Sequence, residues 1–129
     1  MATTQQAIDV QAAPSLEIDG DGVAWLVFDR PDSRVNLLSE AVMMRLDALL
    51  AEVEEHVRTG RAKALVIRSG KDGSFIAGAD VSEIAGITDP TEAAEKAARG
   101  QSVFRRLERL PIPSVAMIDG ACLGGGLEL

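Results

Sequence analysis

The sequence predicts an α/β domain with a mainly parallel sheet. Strand-like and helix-like segments follow one another as hairpin, helix, strand, two helices, strand and the start of a helix. Two strands run into glycine-rich turns that lead into helices, at 73–80 and 120–128. This alternation is typical of right-handed crossovers, and ligands gather where strands of such sheets end and helices begin. The two turns are therefore the first candidates for a functional site.

Composition is consistent with one domain. The chain has 129 residues and 47% hydrophobic content, which is ample for a core. It carries 13 Lys and Arg against 20 Asp and Glu, a net charge of −7, which disfavours nucleic acid and anionic lipid surfaces as partners. We expect residues 1–14 to form a flexible tail and residues 15–129 to form the domain.

Targeting and redox signals point to the cytoplasm. The N-terminus has neither a basic region nor a continuous apolar region, and no stretch approaches the length of a membrane span. Cys122 is the single cysteine, so no intrachain disulfide can form, and no metal-ligand spacing is present. The sequence thus predicts a cytoplasmic protein with no membrane span and no bound metal.

The first half of the chain predicts a hairpin and a helix. The segment 23–28 is rich in β-branched and aromatic residues, follows a Gly-Asp-Gly turn, and pairs with 16–18. Ser39 can cap a helix that extends to about Val57, because apolar residues recur there at helical spacing. The continuous apolar run at 63–69 then predicts a central strand buried on both faces.

Two helix starts and one strand follow. Asp80 and Glu83 have capping-box spacing, in which the glutamate reaches back to the cap residue. Asp89 and Pro90 open a helix to about Leu110. The expected inner face of this helix consists of Ala94, Ala97, Phe104, Leu107 and Leu110. The segment 114–118 is predicted to be another buried strand, and Met43, Met44 and Met117 are predicted to lie in the core.

The glycine-rich turns leave two interpretations open from the residues alone. Bare backbone N–H groups at a helix start suit an anion or a developing negative charge, but three glycines also permit tight packing between strand and helix. Neither turn has the pattern of a P-loop or of a dinucleotide-binding fold. Glu128, in the first turn of the last helix, is by itself best explained as compensation of the helix dipole.

Together, however, the segments SFIAGADVSEI (74–84) and IDGACLGGGLEL (118–129) resemble the two signature loops of the enoyl-CoA hydratase/isomerase (crotonase) superfamily. The resemblance extends from about Leu16 to Leu129 and is particularly close to the hydratase region of multifunctional fatty-acid oxidation α subunits, which carry a 3-hydroxyacyl-CoA dehydrogenase further along. It implies a spiral of ββα turns, of which this chain holds an incomplete part, and catalysis on acyl-CoA thioesters.

The resemblance also implies roles for individual residues. The N–H groups of Ala79 and Gly125 would form the oxyanion hole for the thioester oxygen, and Glu128 would be the first of two catalytic glutamates. Ala77, Gly78, Asp80 and Gly124 would contribute to substrate binding, with the backbone near Ala77 receiving the adenine end of CoA. Asp80 has the alternative role of a helix cap. No separate cofactor is implied, since the substrate itself carries coenzyme A.

The expected function is that of an enoyl-CoA hydratase segment, which adds water across a 2-enoyl-CoA in fatty-acid β-oxidation. The second glutamate would lie about two dozen residues beyond Glu128 by resemblance, so we expect this polypeptide to be an N-terminal fragment that is inactive alone and belongs to an oligomeric full-length protein. Other interpretations are another crotonase-type acyl-CoA enzyme (a Δ3-Δ2 isomerase, a hydrolase or a decarboxylase) and a non-catalytic CoA-binding or partner-binding module.

By the same resemblance, three basic residues are candidates for contacts to CoA. Arg30 and Arg34 lie in the loop after the second strand, and Lys71 leads into the first signature loop. Since Lys and Arg are mostly exposed in proteins, a solvated surface charge is the simpler explanation for each of them.

Overall fold

The computed structural model describes residues 14–31 and 33–129. The predicted tail lies outside these residues except for Pro14, which is buried and whose carbonyl oxygen accepts a hydrogen bond from Arg45 Nε at 3.3 Å. The elements, in chain order, are β1 (Ser15–Ile18), β2 (Val23–Phe28), β3 (Leu37–Leu38), α1 (Glu40–Arg58), β4 (Ala64–Ser69), β5 (Ser74–Ile76), β6 (Gly78–Ala79), α2 (Val81–Ala85), α3 (Pro90–Glu108), β7 (Ser114–Met117), β8 (Ala121–Cys122) and α4 (Gly125–Glu128).

The main sheet has the strand order β1-β2-β4-β7. β1 and β2 form the predicted antiparallel hairpin, whereas β2 with β4 and β4 with β7 are parallel. Two short parallel pairs, β3 with β6 and β5 with β8, lie outside this sheet. The α/β class and the mainly parallel sheet predicted from the sequence are therefore confirmed.

The core lies between the sheet and one face of α1. Leu46, Leu50 and Val53 of α1 are fully buried, as are Leu26 and Leu65 of the sheet. Ser39 caps α1 as predicted, since its side chain accepts a hydrogen bond from Val42 N at 3.2 Å. The 3.6-residue spacing of the apolar residues explains why only one face of α1 is buried.

The helix α3 packs on the core through its C-terminal half only. Leu107 and Leu110 are buried and Phe104 is half-buried, as predicted, but Ala94 and Ala97 are exposed. Arg106 joins α3 to α1, because its guanidinium lies 2.8 Å from Asp47 Oδ1 and 2.9 Å from Glu54 Oε1. The N-terminal half of α3 is thus left free of the core.

Three predictions about burial are wrong for the described residues: those for β4, for β7 and for two of the methionines. β4 is central in the sheet, but its burial alternates, with Leu65 and Ile67 buried and Val66 only half-buried. β7 is exposed along its whole length because none of the described helices packs on it, and Met117 is 50% exposed. Met44 is likewise exposed, so of the three methionines assigned to the core only Met43 packs against it.

Asn36 is a buried polar residue that links three segments. Its Nδ2 lies 2.9 Å from the carbonyl oxygens of Phe28 and Phe75 and 2.9 Å from Ser69 Oγ, and its Oδ1 accepts from Arg30 N at 3.0 Å. The side chain therefore holds the ends of β2 and β4 against β5.

Replacing Asn36 by alanine is expected to lower the free energy of unfolding by about 2–3 kcal/mol, because the buried Phe28 and Phe75 carbonyls lose their shared donor. Urea denaturation of the wild type and the variant measures this. Gln101→Ala removes an exposed amide and is the matched control, with an expected change within about 0.5 kcal/mol. Equal effects of the two substitutions would contradict the role assigned to Asn36.

Candidate active site

The two glycine-rich turns meet in the structure. β5 and β8 run parallel, with Ser74 opposite Ala121 and Ile76 opposite Cys122, and Leu123 N donates to Ile76 O at 3.0 Å. Parallel pairing places the ends of both strands at the same edge, where each chain enters its turn. A Cβ added to Gly78 would lie 3.8 Å from Gly125 N, so the two turns are in direct contact.

The second turn requires glycine where it packs on β5. A Cβ added to Gly126 would lie 2.5 Å from the Ile76 carbonyl oxygen, which is closer than side-chain atoms approach backbone. The interpretation of the glycines as a device for tight packing therefore holds at Gly126. At Gly125 the neighbour is instead the Leu38 side chain, 2.9 Å from an added Cβ.

Gly125 N is the first amide of α4. The following amides of the turn are used locally, since Gly126 N donates to Leu123 O at 2.9 Å and Leu127 N to Gly124 O at 3.0 Å. Among residues 14–31 and 33–129, Gly125 N donates none of the backbone hydrogen bonds found in turns, loops and helix caps. A first helical amide has no partner inside its own helix, so this donor is suited to an external oxygen.

Ala79, Gly125 and Glu128 line one cavity of about 610 Å³. Ala79 is exposed to it from β6, where it pairs with Leu38 of β3. Glu128 is exposed as well, and its own backbone N–H is bonded to Gly124 O at 3.1 Å. The cavity has the size of a small-molecule site. The structure thus brings together the two predicted oxyanion donors and the predicted catalytic carboxylate.

The four predicted substrate-binding residues take different positions. Asp80 lines the cavity, whereas Gly78 and Gly124 do not line it and contact each other, since a Cβ on Gly124 would lie 3.6 Å from Gly78 Cα. Ala77 is not part of the cavity wall, and its N–H donates to Asn36 O at 2.9 Å. Asn36 therefore also fixes the start of the first signature loop. The substrate-binding roles of these residues remain predictions.

Asp80 is the N-cap of α2, as the residues indicated. Its Oδ1 accepts from Ser82 Oγ at 2.6 Å and from Ser82 N at 3.0 Å. The pKa of the Asp80 carboxyl lies below its usual value, mainly because of the Ser82 hydroxyl, with the amides of Ser82 and Glu83 and the charge of Arg30 acting in the same direction. The carboxylate is therefore held ionised at the cavity edge.

The ionised form of Asp80 is expected to stabilise the fold in a pH-dependent way. Its folded-state pKa lies below the ordinary aspartate value of 3.8, so the stabilisation is complete above that pH and is lost as the pH falls through the folded-state pKa. Asparagine still caps a helix but does not titrate. Between about pH 6 and about pH 3, the wild type should lose more urea stability than Asp80→Asn. Equal losses would contradict this linkage.

The predicted capping box is wrong at Glu83. Its Oε2 accepts from Glu40 N, the first amide of α1, at 2.9 Å instead of reaching back to Asp80. The unpartnered N-terminus of α1 is close enough to compete for this carboxylate, and a capping pattern read locally cannot reveal that. Glu83 therefore links α2 to α1 at the mouth of the cavity.

A second polar link crosses the same mouth. The Glu40 carboxylate lies 3.7 Å from Lys96 Nζ and 3.6 Å from Arg99 NH1, both on α3. These exposed pairs contribute little stability individually. Their position shows that α1, α2 and α3 all border the cavity.

The basic residues near the first turn differ from one another. Lys71 is not a solvated surface charge, since its side chain is only 15% exposed and its Nζ lies 2.8 Å from Asp29 Oδ1. Arg34 is exposed, and Arg30 is half-buried near enough to influence the pKa of Asp80. Of these three residues, Arg30 is therefore the one placed nearest to Asp80, whereas Lys96 and Arg99 of α3 line the cavity itself.

Residues 19–129 match the model of the enoyl-CoA hydratase/isomerase family, and the chain belongs to this family. Among curated relatives, the fatty acid oxidation complex subunit alpha of Aliivibrio fischeri is 45% identical over 111 residues, which cover 86% of this chain and 16% of the relative. The fatty acid oxidation complex subunit alpha of Vibrio campbellii is 42% identical over 119 residues, which cover 92% of this chain and 16% of the relative. The chain spans about one sixth of the length of these relatives.

Solved structures show the same fold. An enoyl-CoA hydratase from Bacillus anthracis has a TM-score of 0.78 at 25% identity, over 89% of this chain and 43% of that one. DspI from Pseudomonas aeruginosa has a TM-score of 0.76 at 28% identity, over 89% of this chain and 44% of the DspI chain. The fold is thus crotonase-like, as the resemblance implied, and this chain aligns with less than half of each. Among the described helices, none is long and apolar enough to cross a bilayer.

Proposed function

We propose that this chain forms the oxyanion-binding part of an enoyl-CoA hydratase site. The observation that carries the proposal is the placement of Ala79, Gly125 and Glu128 on the wall of one cavity. A 2-enoyl thioester bound there would direct its carbonyl oxygen to the N–H groups of Ala79 and Gly125. Removal of one such donor lowers kcat by a factor of about 10² to 10³ where its effect has been measured.

The chemistry requires a base next to these donors. Attack of water on C3 transfers electrons from the double bond to the thioester oxygen, which becomes an enolate oxyanion. Glu128 would take a proton from the attacking water, and the second glutamate that the resemblance implies would deliver a proton to C2 as the carbonyl re-forms. Proton exchange with solvent then restores both carboxyl groups. The product is a 3-hydroxyacyl-CoA with one added water. General-base assistance of this kind contributes about 10² to 10⁴ in rate.

Further parts of the proposal rest on the family resemblance. The substrate is an acyl-CoA thioester that brings its own coenzyme A, so no separate cofactor is proposed. The full-length natural polypeptide that contains these residues, called the full-length protein below, is proposed to be an oligomeric cytoplasmic enzyme of fatty-acid β-oxidation.

The test is hydration of crotonyl-CoA by the full-length protein, followed as loss of the enoyl-thioester absorbance and by mass of the product. Formation of 3-hydroxybutyryl-CoA is expected. Folded protein that leaves crotonyl-CoA unchanged would overturn the proposal. If a 3-enoyl-CoA is converted to the 2-enoyl isomer while crotonyl-CoA is not hydrated, the isomerase interpretation replaces it.

A further inference from the structure

A second hollow, of about 800 Å³, lies between α1 and the C-terminal half of α3. Ala79, Gly125 and Glu128 do not line it, so it is separate from the candidate active site, although Asp47 and Ser102 border both spaces. Its volume is typical of sites for small molecules. The proposed hydration uses none of the residues that are found only here, so the hollow is open to a different role.

Positive charge predominates in the lining of this hollow. Its charged residues are four arginines and two carboxylates: Asp47, Glu54, Arg58, Arg105, Arg106 and Arg109. They carry an excess of two positive charges, whereas the whole chain carries a net charge of −7. A local excess of this sign raises the concentration of anions at the surface. The hollow therefore favours an anionic ligand.

Both carboxylates of the lining are bound by one arginine. The guanidinium of Arg106 lies 2.8 Å from Asp47 Oδ1 and 2.9 Å from Glu54 Oε1. Because Asp47 and Glu54 belong to α1, these bonds hold α1 and α3 together on either side of the hollow. The two carboxylates thus fix the walls of the hollow and do not pair with its other arginines.

Arg105 and Arg109 have no ionic partner among residues 14–31 and 33–129. They are four residues apart on one face of α3, and Ser102 lies on the same face, three residues before Arg105. Like charges at this spacing repel each other, and the dipole of a helix, equivalent to about half a charge, needs only one of them. The fourth arginine, Arg58, pairs with Glu55 of its own helix. A bound anion would relieve the repulsion between Arg105 and Arg109.

The uncharged part of the lining is mostly apolar. It consists of the half-buried Val57, the buried Leu110 and the exposed Pro111, together with Ser102. Guanidinium groups bind phosphate through charge-assisted hydrogen bonds, often in pairs. An apolar surface beside them suits an aromatic or hydrocarbon group. A phosphate carried by an organic molecule therefore fits both parts of the lining, whereas inorganic phosphate fits only one.

We propose that this hollow binds a small organic phosphate, at a site separate from the thioester site. The phosphate accepts hydrogen bonds from the guanidinium groups of Arg105 and Arg109, and the organic part lies against Val57 and Pro111. ADP is the probe for this chemistry, because it joins two phosphate groups to an aromatic base. The inference goes beyond the proposed function and does not depend on it.

The test measures how ADP protects individual arginines of the full-length protein. Phenylglyoxal modifies accessible guanidinium groups, and peptide mass spectrometry gives the rate at each arginine. With ADP at about ten times its Kd, about nine tenths of the sites are occupied, so modification of Arg105 and Arg109 should slow about tenfold. Arg61 is exposed and lies outside the hollow, so its rate should stay unchanged. Because each arginine is measured separately, ADP bound elsewhere in the protein does not affect the result.

Two variants sharpen this test. Arg105→Gln should raise the ADP concentration that protects Arg109 at least about tenfold, since a hydrogen bond to a charged group contributes at least that factor to binding. Arg61→Gln is the matched control, because it removes the same charge outside the hollow. It should leave that concentration unchanged.

Several results would overturn the inference. They are a lack of protection at Arg105 and Arg109 by millimolar ADP, equal slowing at Arg61, and equal effects of the two variants. Protection by inorganic diphosphate at the same concentration as ADP would also overturn it, since the organic part would then contribute nothing. The wild-type measurement stands alone if Arg105→Gln does not fold. No step requires turnover, so a protein that fails to hydrate crotonyl-CoA still tests this site.

Discussion

Replacing Glu128 by glutamine in the full-length protein is expected to lower kcat for hydration of crotonyl-CoA by about 10² to 10⁴, the usual contribution of a general base. The amide has nearly the same shape but cannot accept the proton of the attacking water. Because Glu128 lies on the cavity wall and its backbone is held by Gly124, the substitution should leave the binding of substrate and the fold intact. Steady-state kinetics and thermal unfolding measure the two properties separately.

Glu95→Gln is the matched control for this experiment. Glu95 is exposed on α3 and does not line the cavity, so its loss removes the same charge without touching the proposed site. Hydration by this variant should match the wild type. Undiminished hydration by Glu128→Gln would show that Glu128 only compensates the dipole of its helix, which is the simpler explanation that its position in a first turn suggests.

The second large effect is expected at Gly120, which precedes β8. Its φ is +127°, and a Cβ there would lie 2.2 Å from the carbonyl carbon of Gly73 and 2.7 Å from Ser74 N. Both neighbours are backbone atoms and cannot move aside as a side-chain end could. Gly120→Ala should lower the free energy of unfolding by about 4 kcal/mol, from an unfavourable φ together with steric overlap.

Gly60→Ala separates these two contributions. Gly60 also has a positive φ, +79°, but nothing lies within 4 Å of an added Cβ. It should therefore show the conformational effect alone, about 1–2 kcal/mol. Urea midpoints of the 129-residue chain and the two variants give the comparison. If Gly120→Ala is no more destabilising than Gly60→Ala, the tight contact between the two glycine-rich turns is not a determinant of stability.

Local signals in the sequence predicted local structure well. Ser39, Asp80 and Asp89 were expected to cap helices, and all three do, with side chains that accept from nearby amides. Such bonds join residues two or three positions apart, so the sequence contains all the information that they need. The hairpin and the two glycine-rich turns were predictable for the same reason.

Features that depend on distant segments were not predictable in this way. Glu83 binds the amide of Glu40, 43 positions away, and Asn36 binds the carbonyl of Phe75, 39 positions away. Nothing near either residue distinguishes these partners from solvent. A polar residue between the apolar residues Val35 and Leu37 is a weak sequence signal that could have drawn attention to Asn36.

Burial was the least predictable property. The apolar run of β7 suggested a covered strand, and the spacing of Ala94 and Ala97 suggested a packed helix face, yet all of these residues are exposed. Apolar content shows which surfaces can be buried but not what lies against them. For the candidate site, the residues came from the family resemblance, and the structure added that three of them share a cavity.

The hydrogen bonds of Asn36 connect the first glycine-rich turn of the candidate site to the strands of the core. Its side chain binds the ends of β2 and β4, while its backbone oxygen holds Ala77 in front of the loop that carries Ala79. We therefore expect a local opening that releases Asn36 to loosen the sheet and the loop in the same event. Folding of the sheet and pre-organisation of the oxyanion donors are in this sense one cooperative step.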